Sequence, residues 1–432
     1  MSIPLKISGF ADYSEKENRL MGQWKKNLED IYRLFGFMSF NPRPVESIAA
    51  LQLKGGISHQ IYTLGRLQDG TMTDLALPFD RTVPLAIYVA ARRQELIYPF
   101  KRFDISHSFR GERPQAGRFR GFIQADVDII EENLSVFSEI ECLNALQQGL
   151  ASLNIPPFTI YINHIEIPKF LIQEMGVPTE LMPDALRIVD KMDKIGRDGV
   201  EKELLAMNIP LNLENLDVMG YKGSAEGFFK TYGSKYESLP GFSYLQNLVS
   251  MLDSPNFSFH PGMVRGLDYY TGIVYETTLN EYPQFGSISS GGRYNKLIDS
   301  IVNCETRLEG FGISIGLTRL FDVLKKQDLL PKQATPAAQV AVAFRELSLR
   351  KGALEAATAL RKEGITVDLC SSGEKVSIGK QITYADKKEI RYVFMLMGET
   401  YVIKDLPNST QTEDISTLAL AVEKMKKLLD GS

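Results

Sequence analysis

The chain has 432 residues, 44% of them apolar and 24% charged, with a formal net charge of -4. That composition suits a soluble globular protein of two or three domains and excludes a disordered or fibrous chain. Without net positive charge, a nucleic-acid partner must be recognised through local basic patches. Cys142, Cys304 and Cys370 are far apart and have no metal-ligand spacing, which predicts a reducing compartment and no disulfide framework. The N-terminus lacks the apolar core of a signal peptide, and no apolar run approaches a membrane span, so a cytoplasmic location without a membrane partner is expected.

Residues 15–35 place Leu20, Trp24, Leu28, Ile31 and Phe35 at helical spacing, the pattern of an amphipathic helix. Residues 72–90 and 98–130 read as strand-rich and 134–152 as helical. From about 168 to 250 helices, short polar loops and charge runs suggest a helical insertion. Strands return at 259–292, and 309–325 reads as a Gly-rich strand running into a helix. Residues 326–338 read as a linker. Beyond it strands are expected at 340–344, 367–370, 392–397 and 401–406, with helices at 347–363, 377–390 and 414–429. That alternation predicts a small, mostly parallel sheet. The expected architecture is an α+β catalytic domain over 1–325 with a mostly antiparallel sheet and the insertion inside it. An α/β domain over 339–432 follows.

One stretch stands out. Arg110, Arg113, Arg118 and Arg120 fall within eleven residues. Such crowding is best tolerated when an anion sits among the charges. Apolar and polar residues alternate on both sides of the loop. Phe119, Ile123, Ala125, Val127 and Ile129 fall on one side, and Phe122, Gln124, Asp126 and Asp128 on the other. Before the loop, Phe103, Ile105 and Phe109 alternate with Asp104, Ser106, Ser108 and Arg110. Period two on both flanks, with Gly111, Pro114 and Gly117 between, predicts an antiparallel hairpin. Gln124 and Asp128 would lie roughly 13 Å apart along the strand. The polar face could then hold phosphates at its arginine end, where planar guanidinium groups bind them in bidentate fashion. A small polar cation would fit at its aspartate end. An ordinary solvated basic loop is the competing reading.

Other patterns carry less. Gly373–Gln381 resembles a phosphate loop, but its glycine spacing is one too long and Gln381 replaces the required Ser or Thr. Gly310–Gly316 lacks the spacing of a dinucleotide fingerprint. The four histidines are scattered, so imidazole acid–base catalysis is not the expected mechanism.

Three further segments share the hairpin's character. Residues 76–84 place Asp80 and Thr82 at a strand end. Residues 264–276 (Val-Arg-Gly-Leu-Asp-Tyr-Tyr-Thr-Gly-Ile-Val-Tyr-Glu) offer Arg265, Tyr269 and Tyr270. Residues 310–320 deliver Arg319 at a helix start. Together and in this order they resemble the class II aminoacyl-tRNA synthetases, and among them the histidyl-tRNA synthetases. Residues 110–128 are similar to the class II second motif and 310–321 to the third. Residues 265–270 are similar to the histidine-specific segment, 190–195 to part of the insertion, and 338–432 to the anticodon-binding domain.

The resemblance implies an ATP-dependent histidine–tRNA ligase that makes histidyl-adenylate and transfers histidine to the 3′ end of tRNA(His). It implies Arg110 and Arg265 as catalytic residues near the α-phosphate, and Glu112 as a reader of the adenine amino group. Arg118 and Arg319 become clamps on the outer phosphates. Asp80, Thr82, Gln124 and Arg110 would contact the amino and carboxylate groups of L-histidine, with Asp128, Tyr270 and Tyr269 around its imidazole. Mg2+ accompanying ATP, and a symmetric homodimer, are also implied. Four positions depart from the family's usual pattern. Gly121 and Ile123 replace polar residues, Asn295 an aspartate and Thr318 a glutamate. A non-catalytic relative, similar to the regulatory subunit of ATP phosphoribosyltransferase, is the alternative. The complete arginine set and the C-terminal α/β domain argue against it.

Overall fold

The computed structural model describes residues 5–53, 58–68, 70–113, 117–207, 212, 214–252, 254–264, 266, 270–302, 306–331, 336–370 and 377–431. Asp193 and Pro240 are described by their backbone alone. The chain divides into two compact units. One comprises Met1–Tyr13 and Trp24–Lys332, the other Ser14–Gln23 and Gln333–Ser432.

The first unit is built on an eight-stranded sheet. In chain order its elements are helix α1 (Glu15–Leu34, shared with the second unit), strand β1 (Met38–Ser39), α2 (Thr82–Arg92), β2 (Phe100–Phe109) and β3 (Gly121–Glu132). Then come α3 (Val136–Ala151), β4 (Phe158–His164), β5 (Phe257–Phe259), β6 (Ile273–Leu279), β7 (Ser289–Tyr294), β8 (Leu308–Gly316) and α4 (Leu317–Lys326). The strand order is β1-β2-β3-β8-β7-β6-β4-β5. The outer pairs β1/β2 and β4/β5 are parallel, and every other neighbour is antiparallel.

The expected hairpin is β2–β3, in register from Phe100↔Ile130 to Phe109↔Gly121. Its apolar face buries Ile123, Ala125, Val127 and Ile129. Trp24, Leu28 and Tyr32 of α1 are also buried, and Trp24 meets Phe321 of α4 edge to face at 5.5 Å. A Cβ at Gly121 would lie 2.7 Å from the exposed Phe10 ring, so a larger residue here would have to displace that side chain.

The strand-rich reading of 72–90 holds for its first residues and needs correction for the rest. Met72–Ala76 is a strand in a small three-stranded sheet, but Thr82–Arg92 is the helix α2. Val, Ile and Tyr in this segment mimic a strand composition. The fold instead starts a helix where the Asp80 carboxylate accepts from the Val83 amide at 3.0 Å. Leu85, Ala86, Val89 and Ala90 of α2 then pack with Phe100, Ile130 and Tyr294 in one apolar cluster. Residues 166–250 are largely helical, as expected.

The second unit carries β9 (Val340–Phe344), α5 (Arg350–Lys362), β10 (Val367–Leu369), α6 (Ile378–Lys387), β11 (Tyr392–Leu396), β12 (Tyr401–Asp405), β13 (Thr410–Gln411) and α7 (Leu418–Asp430). Its order is β10-β9-β11-β12-β13. The first three strands are parallel, and a hairpin extends them antiparallel. Gln381, in the rejected phosphate-loop pattern, is buried. Its carboxamide accepts from Phe344 N at 3.1 Å and donates to Phe344 O at 2.8 Å, so it ties α6 to β9. Residues 371–376 of that pattern lie outside the described residues.

Candidate active site

Register decides which side chains share a face. Gln124, Asp126 and Asp128 of β3 lie opposite Ser106, Asp104 and Arg102 of β2. On the other side they lie opposite Gly316, Ser314 and Gly312 of β8. Across β7 and β6 the face continues with Ser290, Gly292 and Glu276. The middle of the sheet is therefore a polar floor, flanked on one side by the cluster around α2.

The aspartate end of the floor is a buried charge network. Arg102 is fully buried and meets Asp128 at 2.6 Å and Asp104 at 3.5 Å. Arg81 holds Asp104 at 2.7 Å. Tyr294 donates its hydroxyl proton to Asp128 Oδ1 at 2.8 Å. Among the described residues Asp128 Oδ2 makes only the ion pair with Arg102, without hydrogen-bond geometry. Gly312 is obligatory beneath this carboxylate, since a Cβ would sit 2.4 Å from Asp128 Oδ1.

Burial is the main force raising the pKa of Asp128. Arg102 and Tyr294 oppose the rise, while Asp104 and Asp80 add to it. Burial likewise pushes Asp126 up to about 7, against the pull of Arg102. Arg81 and Arg102 stand among four buried aspartates, Asp80, Asp104, Asp126 and Asp128, so carboxyl groups outnumber cations at this end, which suits a cationic ligand.

The Asp80–Thr82 turn borders the same end. Asp80 is buried, and Thr82 opens α2. Arg102 donates to Arg81 O at 3.2 Å, and Phe109 N donates to Pro78 O at 2.9 Å, so the turn is stitched to β2. Tyr270 packs over the floor at Gly292, where a Cβ would be 3.0 Å from its ring. Arg265 and Tyr269 lie outside the described residues. The segment before them is held by Asn163, fully buried, which donates to Pro261 O at 3.0 Å and Met263 O at 2.9 Å.

At the other end, Arg110 donates to Phe79 O at 3.1 Å and lies over the Phe122 ring at 5.1 Å. Glu112 pairs with Arg118 at 3.5 Å. Arg319 donates to Phe285 O and runs beside Gly117, next to Arg118. The hairpin loop and the start of α4 are thus brought together as the sequence reading requires.

This polarity, with arginines at one end and buried acids at the other, is what a nucleotide joined to a cationic amino acid would meet. A family model for histidyl-tRNA synthetase matches residues 9–320. The chain belongs to that family. The histidine–tRNA ligase of Clostridium tetani (strain Massachusetts / E88) is 34% identical over 443 residues, covering 99% of this chain and 98% of that protein. The crystal structure of histidyl-tRNA synthetase from Nostoc sp. PCC 7120 matches with a TM-score of 0.86 at 30% identity, over 99% of this chain and 100% of the other. An ATP phosphoribosyltransferase regulatory subunit/histidyl-tRNA synthetase from Bacillus halodurans C reaches a TM-score of 0.72 at 17% identity, over 91% of this chain and 98% of the other. That last likeness is one of fold alone.

Two departures from the usual histidyl-tRNA synthetase pattern have structural roles. Thr318 accepts from Ile123 N through its hydroxyl at 2.8 Å, fixing α4 to β3. Asn295 donates to Glu309 at 2.8 Å and accepts from Arg293 at 3.2 Å. Sequence reasoning missed Arg102, Arg81, Tyr294, Ser314 and Asn163. For Arg102 the signal was present, because the alternation of β2 continues two residues back from Asp104.

Proposed function

We propose that the polar floor binds histidine with its imidazole against Asp128 and ATP with its phosphates among Arg110, Arg118 and Arg319. The chain is a histidine–tRNA ligase. The histidine carboxylate attacks the α-phosphorus, the bond to the β-phosphate breaks, and pyrophosphate leaves. The terminal ribose hydroxyl of tRNA(His) then takes the histidyl group from the adenylate, releasing AMP. The ionised carboxylate needs no general base. The main requirement is fixed positive charge where negative charge develops, supplied by Arg110 and, beyond the described residues, Arg265. Glu112 reads the adenine amino group. Asp80, Thr82 and Gln124 hold the amino acid's polar groups, with Tyr269 and Tyr270 beside the imidazole.

The observation that carries this reading is the buried Arg102–Asp128–Tyr294 set. It presents an oriented carboxylate on a floor that continues toward the arginines. Mg2+ would enter with ATP, carried on its phosphates. Residues 339–432 form the anticodon-binding domain in this reading. A homodimer is supported by exposed apolar side chains, Met38 at the edge of the large sheet and Met72 and Leu75 on the separate three-stranded sheet. Among the described residues no helix is long and apolar enough to cross a membrane.

ATP–pyrophosphate exchange tested with each of the twenty amino acids is the direct check. Only histidine should support exchange. No exchange with folded protein, ATP and Mg2+, or equal exchange with other amino acids, would reject the assignment.

A further inference from the structure

Gln124 and Asp126 are successive residues on the polar face of β3, and Ser314 of β8 lies opposite Asp126. The Ser314 hydroxyl sits between the two side chains. It donates to Asp126 Oδ1 at 2.6 Å and accepts from Gln124 Nε2 at 2.8 Å. A hydroxyl has one proton to give, and above about pH 7, where Asp126 is ionised, its carboxylate can only accept. With its proton committed to Asp126, Ser314 can offer Gln124 only a lone pair. The carboxamide must then turn its NH2 toward Ser314. Its oxygen is left facing away, buried and without a hydrogen-bond partner among the described residues. The neighbour in register on β8 is Gly316, which brings no side chain to meet it.

We propose that Asp126 is a positioning residue for the substrate's amino group: through Ser314 it sets the polarity of the Gln124 carboxamide, so that a carbonyl oxygen rather than an NH2 group meets the ligand. The inference rests on the reading above that Gln124 contacts the amino acid's polar groups. Carboxamide oxygen and nitrogen are nearly identical in shape, so packing alone does not choose between them. The wrong orientation would point two N–H donors at an ammonium, whose three protons need acceptors. The right one fills an unpaired buried acceptor when the ligand arrives. The Asp126–Ser314 pair thus acts at one remove, on which ligand the floor accepts rather than on the reacting atoms.

The test compares three ligands as inhibitors of histidine-dependent exchange or in calorimetry. They are L-histidine, histidinol (amino group, no carboxylate) and 3-(imidazol-4-yl)propionate (carboxylate, no amino group). Ser314→Ala and, separately, Asp126→Asn should each weaken histidine and histidinol about tenfold, the scale of one polar contact. The deamino compound should stay within about twofold. In a Gln124→Ala background each change should add less than about twofold, because the group it orients is gone. Ser314→Ala keeps the charge of Asp126, so it separates orientation from electrostatics. Equal losses for all three ligands, full additivity with Gln124→Ala, or no effect from Ser314→Ala would overturn the relay. A Gln124→Ala variant that weakens the deamino compound as much as histidinol would instead sink the role given to Gln124 itself.

Discussion

Asp128→Ala should lower kcat/KM for histidine in ATP–pyrophosphate exchange by about 10³-fold, close to 4 kcal/mol of transition-state stabilisation, while ATP affinity changes little. In the proposed pose the imidazole N–H is buried against this carboxylate. Removing the carboxylate leaves that donor unpaired in a water-poor site, and it also leaves Arg102 with one fewer counter-charge. Both costs fall on the amino-acid end of the floor. The ATP end, built by Arg110, Arg118 and Arg319, lies beyond Gln124 and should not register the change. A loss under tenfold, or an equal loss of ATP binding, would contradict the placement of the imidazole.

The second large effect is on stability. Arg102 is a fully buried cation serving Asp128 and Asp104. Arg102→Met keeps volume but strands Asp128, while Asp104 keeps Arg81 at 2.7 Å, a change of about 3–5 kcal/mol. The first thermal transition should fall by roughly 10 °C at pH 8. The sign of its pH dependence is fixed. Without the cation, the folded-state pKa values of Asp128 and Asp126, already raised by burial, rise further above their unfolded values. The penalty is therefore full above the new folded values and fades as pH falls toward the unfolded ones. The gap between variant and parent should narrow on acidification from pH 8 to pH 5. A transition within about 2 °C of the parent at pH 8, or a gap that widens in acid, would show that the cluster is not held by this arginine.

What the sequence revealed follows from what periodicity encodes. Period two located β2 and β3 and sorted Gln124, Asp126 and Asp128 onto one face, because alternation is a property of a single strand. It could not say that β8 adjoins β3, so Ser314 and Gly312 remained unassigned to the floor although their segment had been singled out. Tyr294 reaches Asp128 from two strands away, a relation that only topology creates. Arg102 escaped notice because Lys101 beside it interrupts the apolar side of the alternation and a buried arginine is uncommon. The helix α2 was misread for a different reason. Its β-branched and aromatic residues favour strands, but the Asp80 cap and packing against Phe100 and Ile130 override that preference.

In the proposed pose one floor orients both substrates, with phosphates toward Arg110 and imidazole toward Asp128. The most direct measurement is a crystal structure of the protein with histidine and ATP, or with the adenylate they form. The account predicts an imidazole nitrogen within hydrogen-bond distance of the Asp128 carboxylate, the amino group on Gln124 Oε1, and the α-phosphate beside Arg110. An amino acid bound with its ring away from Asp128, or phosphates seated at the aspartate end, would contradict it.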